Sequence, residues 1–138
     1  MTNEPAHQLR QTILRLARRV RAERADDAMS DGRLSVLFLL VNHGAQTLGS
    51  LSEFERVTPP SMNRTVNALV ESGYASRSGS PDDGRKVLID VTEDGHTVIR
   101  ETRRRRDAWF SRRLADLTPE QRQILELSAP VLRELADS

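Results

Sequence analysis

Cysteine is absent from this 138-residue sequence, lysine occurs once, and the aromatic residues are one Trp, one Tyr and three Phe. The lack of cysteine excludes disulfides, thiolate metal sites and thiol redox sensing. The three histidines, His7, His43 and His96, lie far apart without ligand spacing, so we expect neither a metal site nor a cofactor. A glycine-rich phosphate loop and a nucleophile–base constellation are also lacking, and an enzyme is therefore not expected.

Long apolar runs are missing as well. No stretch could span a membrane and the first residues do not follow a signal-peptide pattern, so the sequence predicts a cytoplasmic protein without a membrane partner. The formal net charge is only +1. Any contact with nucleic acid must therefore depend on local cations rather than on the whole surface. The length suits one domain with a substantial core.

Apolar residues recur at helical spacing through most of the chain, and capping residues mark where helices begin. An amphipathic first helix is predicted at 6–25, and its apolar face needs either ordinary core packing or a second subunit. Ser30 can cap a strongly apolar second helix, 31–43, which Gly44 ends and which we expect to be the central buried one. The other predicted helices are 46–56, 59–72, 93–114 and 119–136, with Thr92 and Thr118 as caps of the last two.

The stretch from Thr58 to Thr92 predicts a helix followed by a β-hairpin. Thr58 suits the N-cap, Pro59 the first helical position, and Gly73 the left-handed conformation that stops a helix. Extended runs at 74–78 and 86–91 flank a turn rich in Gly, Pro and Asp at 79–85. Together with the helix at 46–56, this order is the outline of a winged helix-turn-helix.

The outward face of the helix after Thr58 suits a DNA major groove. Bulky or acidic side chains would hold a helix away from the bases, whereas this face is small, neutral or cationic and rich in hydrogen-bonding groups. The DNA-contacting residues predicted on the helix and its cap are Thr58, Pro60, Ser61, Asn63, Arg64 and Asn67. For Arg64, the alternative is a surface ion pair with Glu71.

The hairpin carries further cations that we expect to contact DNA. Arg85 and Lys86 would reach the phosphate backbone or the minor groove while the helix reads base edges. Arg77 is a weaker candidate for a phosphate contact. Pairing of Arg85 with Asp83 alone, within the turn, is the alternative for that arginine.

Both ends of the chain carry apolar helices that extend beyond this small DNA-binding unit. Such helices suggest an intertwined homodimer, in which two reading helices bind symmetric half-sites one helical turn apart, roughly 34–36 Å. The run Arg103–Arg106 points in four directions. It is interpreted as a solvated or salt-bridged surface, with contact to DNA or an anionic effector as the alternative.

These features resemble the MarR family of winged-helix transcriptional regulators over nearly the whole length. The resemblance depends on the helix order, on the stretches 58–66 and 69–77, and on Asp83-Gly84-Arg85 followed by Val91-Thr92-Glu93-Asp94-Gly95. In that family the matching wing Arg, here Arg85, enters the minor groove, and the Asp, here Asp83, helps to orient it.

The resemblance implies a mainly α fold with a small β-hairpin (α+β), as a single domain over 1–138. Residues 29–92 would form the winged helix DNA-binding core, and 1–28 and 93–138 the dimerisation helices of an obligate homodimer. It also implies repression by promoter binding, relieved by a small aromatic or phenolic anionic effector. Arg10 and Arg24 flank the apolar face of the first helix and could pair with an effector carboxylate.

A protein-interaction module that shares the winged helix but has no specific DNA binding is the alternative function. The near-neutral net charge permits it. The sequence favours the DNA-binding regulator, and salt-titrated binding to random duplex would distinguish the two functions, because a module without a DNA role should not bind even at low salt.

Overall fold

The computed structural model describes residues 3–79 and 86–138, and within these ranges it contains six helices and a small antiparallel sheet. The elements, in chain order, are α1 Glu4–Ala22, α2 Asp31–His43, β1 Gln46–Thr47, α3 Leu48–Glu55, α4 Pro59–Glu71, β2 Ala75–Gly79, β3 Val87–Val91, α5 Glu93–Ala115 and α6 Pro119–Asp137. The predicted mainly α fold with a small β component is confirmed.

Side-chain caps start several of these helices where the sequence predicts them. The Ser30 hydroxyl accepts a hydrogen bond from the Arg33 backbone N–H at 3.2 Å. Thr92 does the same for Gly95 at 3.1 Å. Thr118 and Gln121 form a reciprocal capping box at the start of α6. Each cap satisfies backbone N–H groups that have no partner inside the helix, which fixes the start of the helix.

The sheet has three strands in the order β1-β3-β2, one more than the predicted hairpin. The prediction of a helix from Gln46 was wrong for its first two residues. Gln46 pairs with Ile89 and Thr47 with Leu88, so both are extended. Thr47 then caps α3 by accepting from the Ser50 N–H at 3.1 Å. The helix begins only after this cap.

The first helix ends at Ala22, three residues before the predicted end. Beyond this point the chain is no longer helical, because hydrogen bonds to α5 hold it in another conformation. Thr102 accepts from the Ala25 N–H at 3.1 Å, and Arg106 Nε donates to the Glu23 carbonyl at 3.0 Å. These long-range bonds replace the intrahelical ones, which a local pattern cannot predict.

The core lies around α2, as the apolar content of that helix predicts. Leu34, Leu37 and Leu40 are buried and pack with residues from α3, α4, β3 and α5. Burying one such side chain contributes about 1.5–3 kcal/mol. The fully buried members from the other elements include Leu51, Met62, Val66, Leu69, Ile89 and Ile99. This core fixes α4 against α2 and leaves the opposite side of α4 exposed to solvent.

Neither α1 nor α6 has a buried residue. On α6 the side chains of Ile124, Leu127 and Val131 are 64%, 70% and 64% exposed. None of the helices that the structure describes combines the length and the apolarity that a bilayer crossing requires. The apolar sides of α1 and α6 are therefore largely exposed in the single chain.

Candidate nucleic-acid interface

Helix α4 is held by its inner side and presents its outer side to solvent. Met62, Val66 and Leu69 are buried. Asn63 and Arg64 are exposed and Ser61 is half-buried; Pro60 and Asn67 are exposed too. The Thr58 hydroxyl accepts from the Ser61 N–H at 3.3 Å and caps the helix, so Thr58 has a structural role at this position. The predicted reading face is thus a continuous exposed surface.

The end of α4 leads directly into the sheet. Gly73 has φ +83°, a left-handed conformation that favours glycine, as predicted. The Tyr74 N–H donates to the Leu69 carbonyl at 2.9 Å. Thr92, which caps α5, donates its hydroxyl hydrogen to the Gly73 carbonyl at 2.6 Å. These bonds position β2 beside the last turns of α4.

Arg77 on β2 contacts the reading face of α4. Its Nη2 donates to the amide oxygens of both Asn67 and Asn63, the latter at 3.4 Å. The two asparagines are one helical turn apart, so one guanidinium can reach both. The sequence predicts only a phosphate contact for Arg77, because no local pattern indicates this link.

Arg64 remains exposed near the middle of the reading face. Within residues 3–79 and 86–138 it has no hydrogen-bond partner, and no ion pair with Glu71 is present there. The surface ion pair considered as an alternative is therefore not observed. An exposed guanidinium at this position can bond to base edges or phosphates.

The described part of the hairpin ends at Gly79 and resumes at Lys86. Gly79 pairs with Val87, so Lys86 lies just beyond the last residue pair and is exposed. The predicted contacts of Asp83 and Arg85 lie outside the described residues. Lys86 is therefore the described cation nearest to the hairpin turn.

The four arginines from Arg103 to Arg106 bond to groups of the protein itself. Arg103 donates to Asn42 Oδ1 at 2.8 Å, and Arg104 to both oxygens of Glu101, the shorter bond being 2.6 Å. Arg104, followed by Arg105, lowers the pKa of Glu101 to about 2 by hydrogen bonding to its carboxylate. The run is thus a set of hydrogen-bonded and ion-paired side chains, the first interpretation of the sequence.

Arg106 is the half-buried member of the run. Besides donating to Glu23, it lies with its guanidinium 5.4 Å from the Phe38 ring centroid. Burial is the main reason why its pKa is lowered from the usual value, and the positive charge of Arg24 adds to this effect. Arg106 therefore joins α5 both to the end of α1 and to α2.

A recess of about 340 Å³ lies between the end of α1, the start of α2 and α5. Its lining includes Arg21, Asp31, Phe38 and Arg106. Arg24, a predicted effector residue, forms an ion pair at 2.5 Å with Asp31 at the edge of this recess. Its guanidinium also donates to the carbonyls of Arg21 and Met29, so it holds the α1–α2 connection together.

Arg10, the other predicted effector residue, lies elsewhere. It lines an open recess of about 330 Å³ on the surface of α1 with Gln11, Leu14, Arg15 and Arg18. The structure therefore does not bring Arg10 and Arg24 together. Among the described residues, no group of three His, Asp or Glu side chains could hold a metal ion.

Comparison with known proteins gives matches over nearly the whole chain. A family profile described as MarR family matches residues 29–87. A relative from Mycobacterium bovis, named an uncharacterized HTH-type transcriptional regulator, is 39% identical over 132 residues, which are 96% of this chain and 92% of the relative. The profile spans the elements from the start of α2 to the start of β3.

Solved structures share the fold. A proposed transcriptional regulator of Pseudomonas aeruginosa has a TM-score of 0.88 at 25% identity, over 100% of this chain and 99% of that one. FabT of Streptococcus pneumoniae, solved in complex with DNA, has a TM-score of 0.70 at 18% identity, over 98% and 94% of the two chains.

Proposed function

The chain belongs to the MarR family of helix-turn-helix transcriptional regulators, and we propose that it is a repressor that binds a pseudo-palindromic promoter site as a homodimer. Members of this family bind DNA and are not enzymes. In the proposal, residues 29–92 form the DNA-binding core, and 1–28 and 93–138 the dimerisation part. A small anionic aromatic effector releases the repressor from DNA in the cytoplasm.

The observation that carries the DNA-binding site is the outer face of α4. It presents Arg64 between asparagine amides on one side and the Ser61 hydroxyl on the other, without an acidic side chain among them. Hydrogen-bonding groups on an exposed helix are what base edges in the major groove require. Lys86 and Arg85 of the hairpin add phosphate or minor-groove contacts, with Asp83 orienting Arg85 in this proposal.

The uncovered terminal helices support the homodimer. The apolar sides of α1 and α6 include exposed Leu9, Leu16, Leu127 and Val131. The two helices also have opposite charge: α1 has five arginines and one glutamate, whereas α6 has four acids and two arginines. An exposed apolar surface of this kind is typical of an interface. Pairing α1 of one copy with α6 of another would bury apolar residues and bring opposite charges together.

The recess beside Phe38 supports the effector part of the proposal. It offers an aromatic ring and the guanidinium groups of Arg21 and Arg106, which suit an aromatic carboxylate. The recess touches α1, α5 and α2, and so lies where the terminal helices meet the DNA-binding core. A ligand at this position would act on the relative placement of the two parts.

The reading face is tested with Arg64→Ala and Arg85→Ala in gel shifts on a duplex selected from genomic fragments. Arg64→Ala should lose about 1–3 kcal/mol of specific binding and relax the choice of sequence, because a base contact is removed. Arg85→Ala should weaken binding evenly across sequences and lower the salt slope.

Wild-type binding to random duplex at low salt provides the reference in this experiment. No binding there would favour the protein-interaction module instead. Unchanged affinity in both variants would contradict the proposed contacts. Arg133→Ala, on the exposed surface of α6, is the matched control that also removes one positive charge.

The effector mechanism predicts reciprocal coupling between ligand and DNA. If benzoate, as a simple aromatic carboxylate, favours a spacing of the reading helices that does not fit the half-sites, DNA must weaken benzoate binding by the same factor. Calorimetry with and without the selected duplex measures this factor. Equal benzoate affinity in both titrations would refute the coupling, and an Arg106→Met variant should lose benzoate binding.

A further inference from the structure

We propose that Arg77 is a positioning residue that sets the base preference of the reading face. By holding the carbonyl ends of Asn63 and Asn67, it makes both amides present N–H donors to the major groove. The face then favours G·C base pairs, whose guanine edge offers two adjacent acceptors, over A·T pairs, in which a donor lies between the acceptors. This inference rests on the proposed function and specifies which bases α4 reads.

The geometry places one guanidinium between two amides. Arg77 lies in β2, paired with Ile89, and its side chain reaches across to the flank of α4. Nη2 donates to Oδ1 of Asn67 and, at 3.4 Å, to Oδ1 of Asn63. The three side chains are exposed, so the arrangement is not forced by core packing. The contact itself is what orients the asparagines.

The chemistry of the guanidinium determines which end of each amide is turned inward. Arginine has five N–H donors and no acceptor, so only the amide oxygen can face it. The NH₂ group lies on the other side of the amide carbon. Each asparagine held in this way therefore offers hydrogen-bond donors away from Arg77, toward the surface that Arg64 shares.

Bases differ in what they offer to such donors. Asparagine reads adenine by using both ends of its amide, donating to N7 and accepting from N6. An amide whose oxygen is turned toward Arg77 would have to rotate to form that pair. Guanine presents two adjacent acceptors, N7 and O6, whereas an A·T pair presents the adenine N6 donor between adenine N7 and thymine O4. Because Arg64 is also a donor without an acceptor, the flank formed by Asn63, Arg64 and Asn67 favours acceptor-rich edges.

The experiment compares base preference in the wild type and in Arg77→Met. A duplex selected by the wild type is replaced at one base pair at a time, and each affinity is measured by fluorescence anisotropy. We expect G·C pairs at the positions that the wild type discriminates. In Arg77→Met the amides can turn over, so A·T pairs should gain by roughly five- to a hundred-fold at one or more of these positions, the range of a specific base contact.

Two further variants separate orientation from charge. Arg77→Lys keeps the charge but lacks the planar fork that holds two amides. It should therefore shift base preference in the same direction as Arg77→Met. Lys86→Met removes a cation from the hairpin without touching either asparagine. It should weaken all sequences evenly and lower the salt slope by about one, as expected for one phosphate contact.

Several results would overturn the inference. Uniform weakening by Arg77→Met with a lower salt slope would make Arg77 a phosphate partner. A wild-type preference for A·T pairs at the discriminated positions would also contradict it. If the proposed function is wrong, the wild type itself will bind no duplex. This result differs from every outcome that concerns Arg77 alone. Circular dichroism of each variant verifies that the fold is retained.

Discussion

Gly95 in the first turn of α5 lies against the backbone that leaves α4. A Cβ at this position would be 2.3 Å from the Tyr74 carbonyl oxygen and 2.6 Å from Cγ2 of Val91. Because the nearer atom belongs to the backbone, a change of rotamer cannot relieve the contact. We expect Gly95→Ala to lower the free energy of unfolding by about 1–3 kcal/mol, as overpacking does. Urea denaturation at fixed protein concentration measures this change.

Gly49 in α3 provides the matched control for this substitution. Apart from its chain neighbours and the backbone of its own helix, no described atom lies within 4 Å of a Cβ built there. Alanine also has a higher helix propensity than glycine, by roughly 1 kcal/mol. Gly49→Ala should therefore leave stability unchanged or raise it. Equal stability of Gly95→Ala and the wild type would show that the backbone contact is easily relieved.

The residues of the reading face illustrate what the sequence can predict at this scale. Asn63, Arg64 and Asn67 could be assigned to the outer surface because helical periodicity and the buried partners fix their direction. The link to Arg77 could not be predicted. It joins positions 10 and 14 residues apart across the end of a helix, and it depends on how β2 packs beside α4.

Between elements, the hydrogen bond from Tyr74 to Asp26 connects the start of β2 to the α1–α2 connection at 2.7 Å. We expect Tyr74→Phe to lower the free energy of unfolding by about 1 kcal/mol, the net contribution of one such bond. This bond, followed by burial, raises the pKa of Tyr74 above its usual value of 10.0. The hydroxyl must be protonated to donate.

The sign of the pH dependence follows from that shift. A raised pKa means that the folded state holds the proton more tightly than the unfolded state does. The stabilisation is fully present below the unfolded pKa of about 10 and is lost as pH rises through the higher folded value. The stability difference between wild type and Tyr74→Phe, measured in urea at pH 8 and pH 11, should therefore shrink at pH 11. A constant difference would assign the effect to packing.

The sequence predicts the elements that begin at a capping residue, but not those that depend on a partner distant in the chain. Ser30, Thr58, Thr92 and Thr118 start helices because their hydroxyls bond to backbone groups three residues ahead. Strand β1 has only two residues, and it exists because β3 is beside it. No local pattern could indicate a strand that depends on a partner more than 40 residues away. The end of α1 was misplaced for the same reason.

At the scale of the whole molecule, the α1–α2 connection joins α1 and α5 to the proposed DNA-binding core. Ala25 bonds to Thr102 of α5, and Asp26 to Tyr74 beyond α4. Arg24 pairs with Asp31 at the start of α2. A displacement of α1 or α5 therefore reaches the flank of α4 through few bonds. This arrangement gives the proposed effector a physical route to the reading helices.

The homodimer can be tested on α6 with Leu127→Arg. This side chain is 70% exposed in the single chain, and the proposed interface would bury it. An arginine there would place an unpaired charge in an apolar contact and would face the basic α1 of the other copy. We expect the wild type to sediment as a dimer of 15.6 kDa chains and Leu127→Arg as a monomer.

Glu126→Gln is the control, because it raises the net charge by the same one unit on the same exposed helix. It leaves the apolar side of α6 and three of its four acidic groups in place, so it should remain dimeric.

Loss of the dimer should also weaken binding to a duplex with two half-sites far more than binding to one half-site, because two linked reading helices bind with higher effective concentration. A monomeric wild type at micromolar concentration, or a dimeric Leu127→Arg variant, would contradict this interface. Because only the dimer can place two copies of α4 on one DNA molecule, such a result would also remove the basis for a symmetric operator.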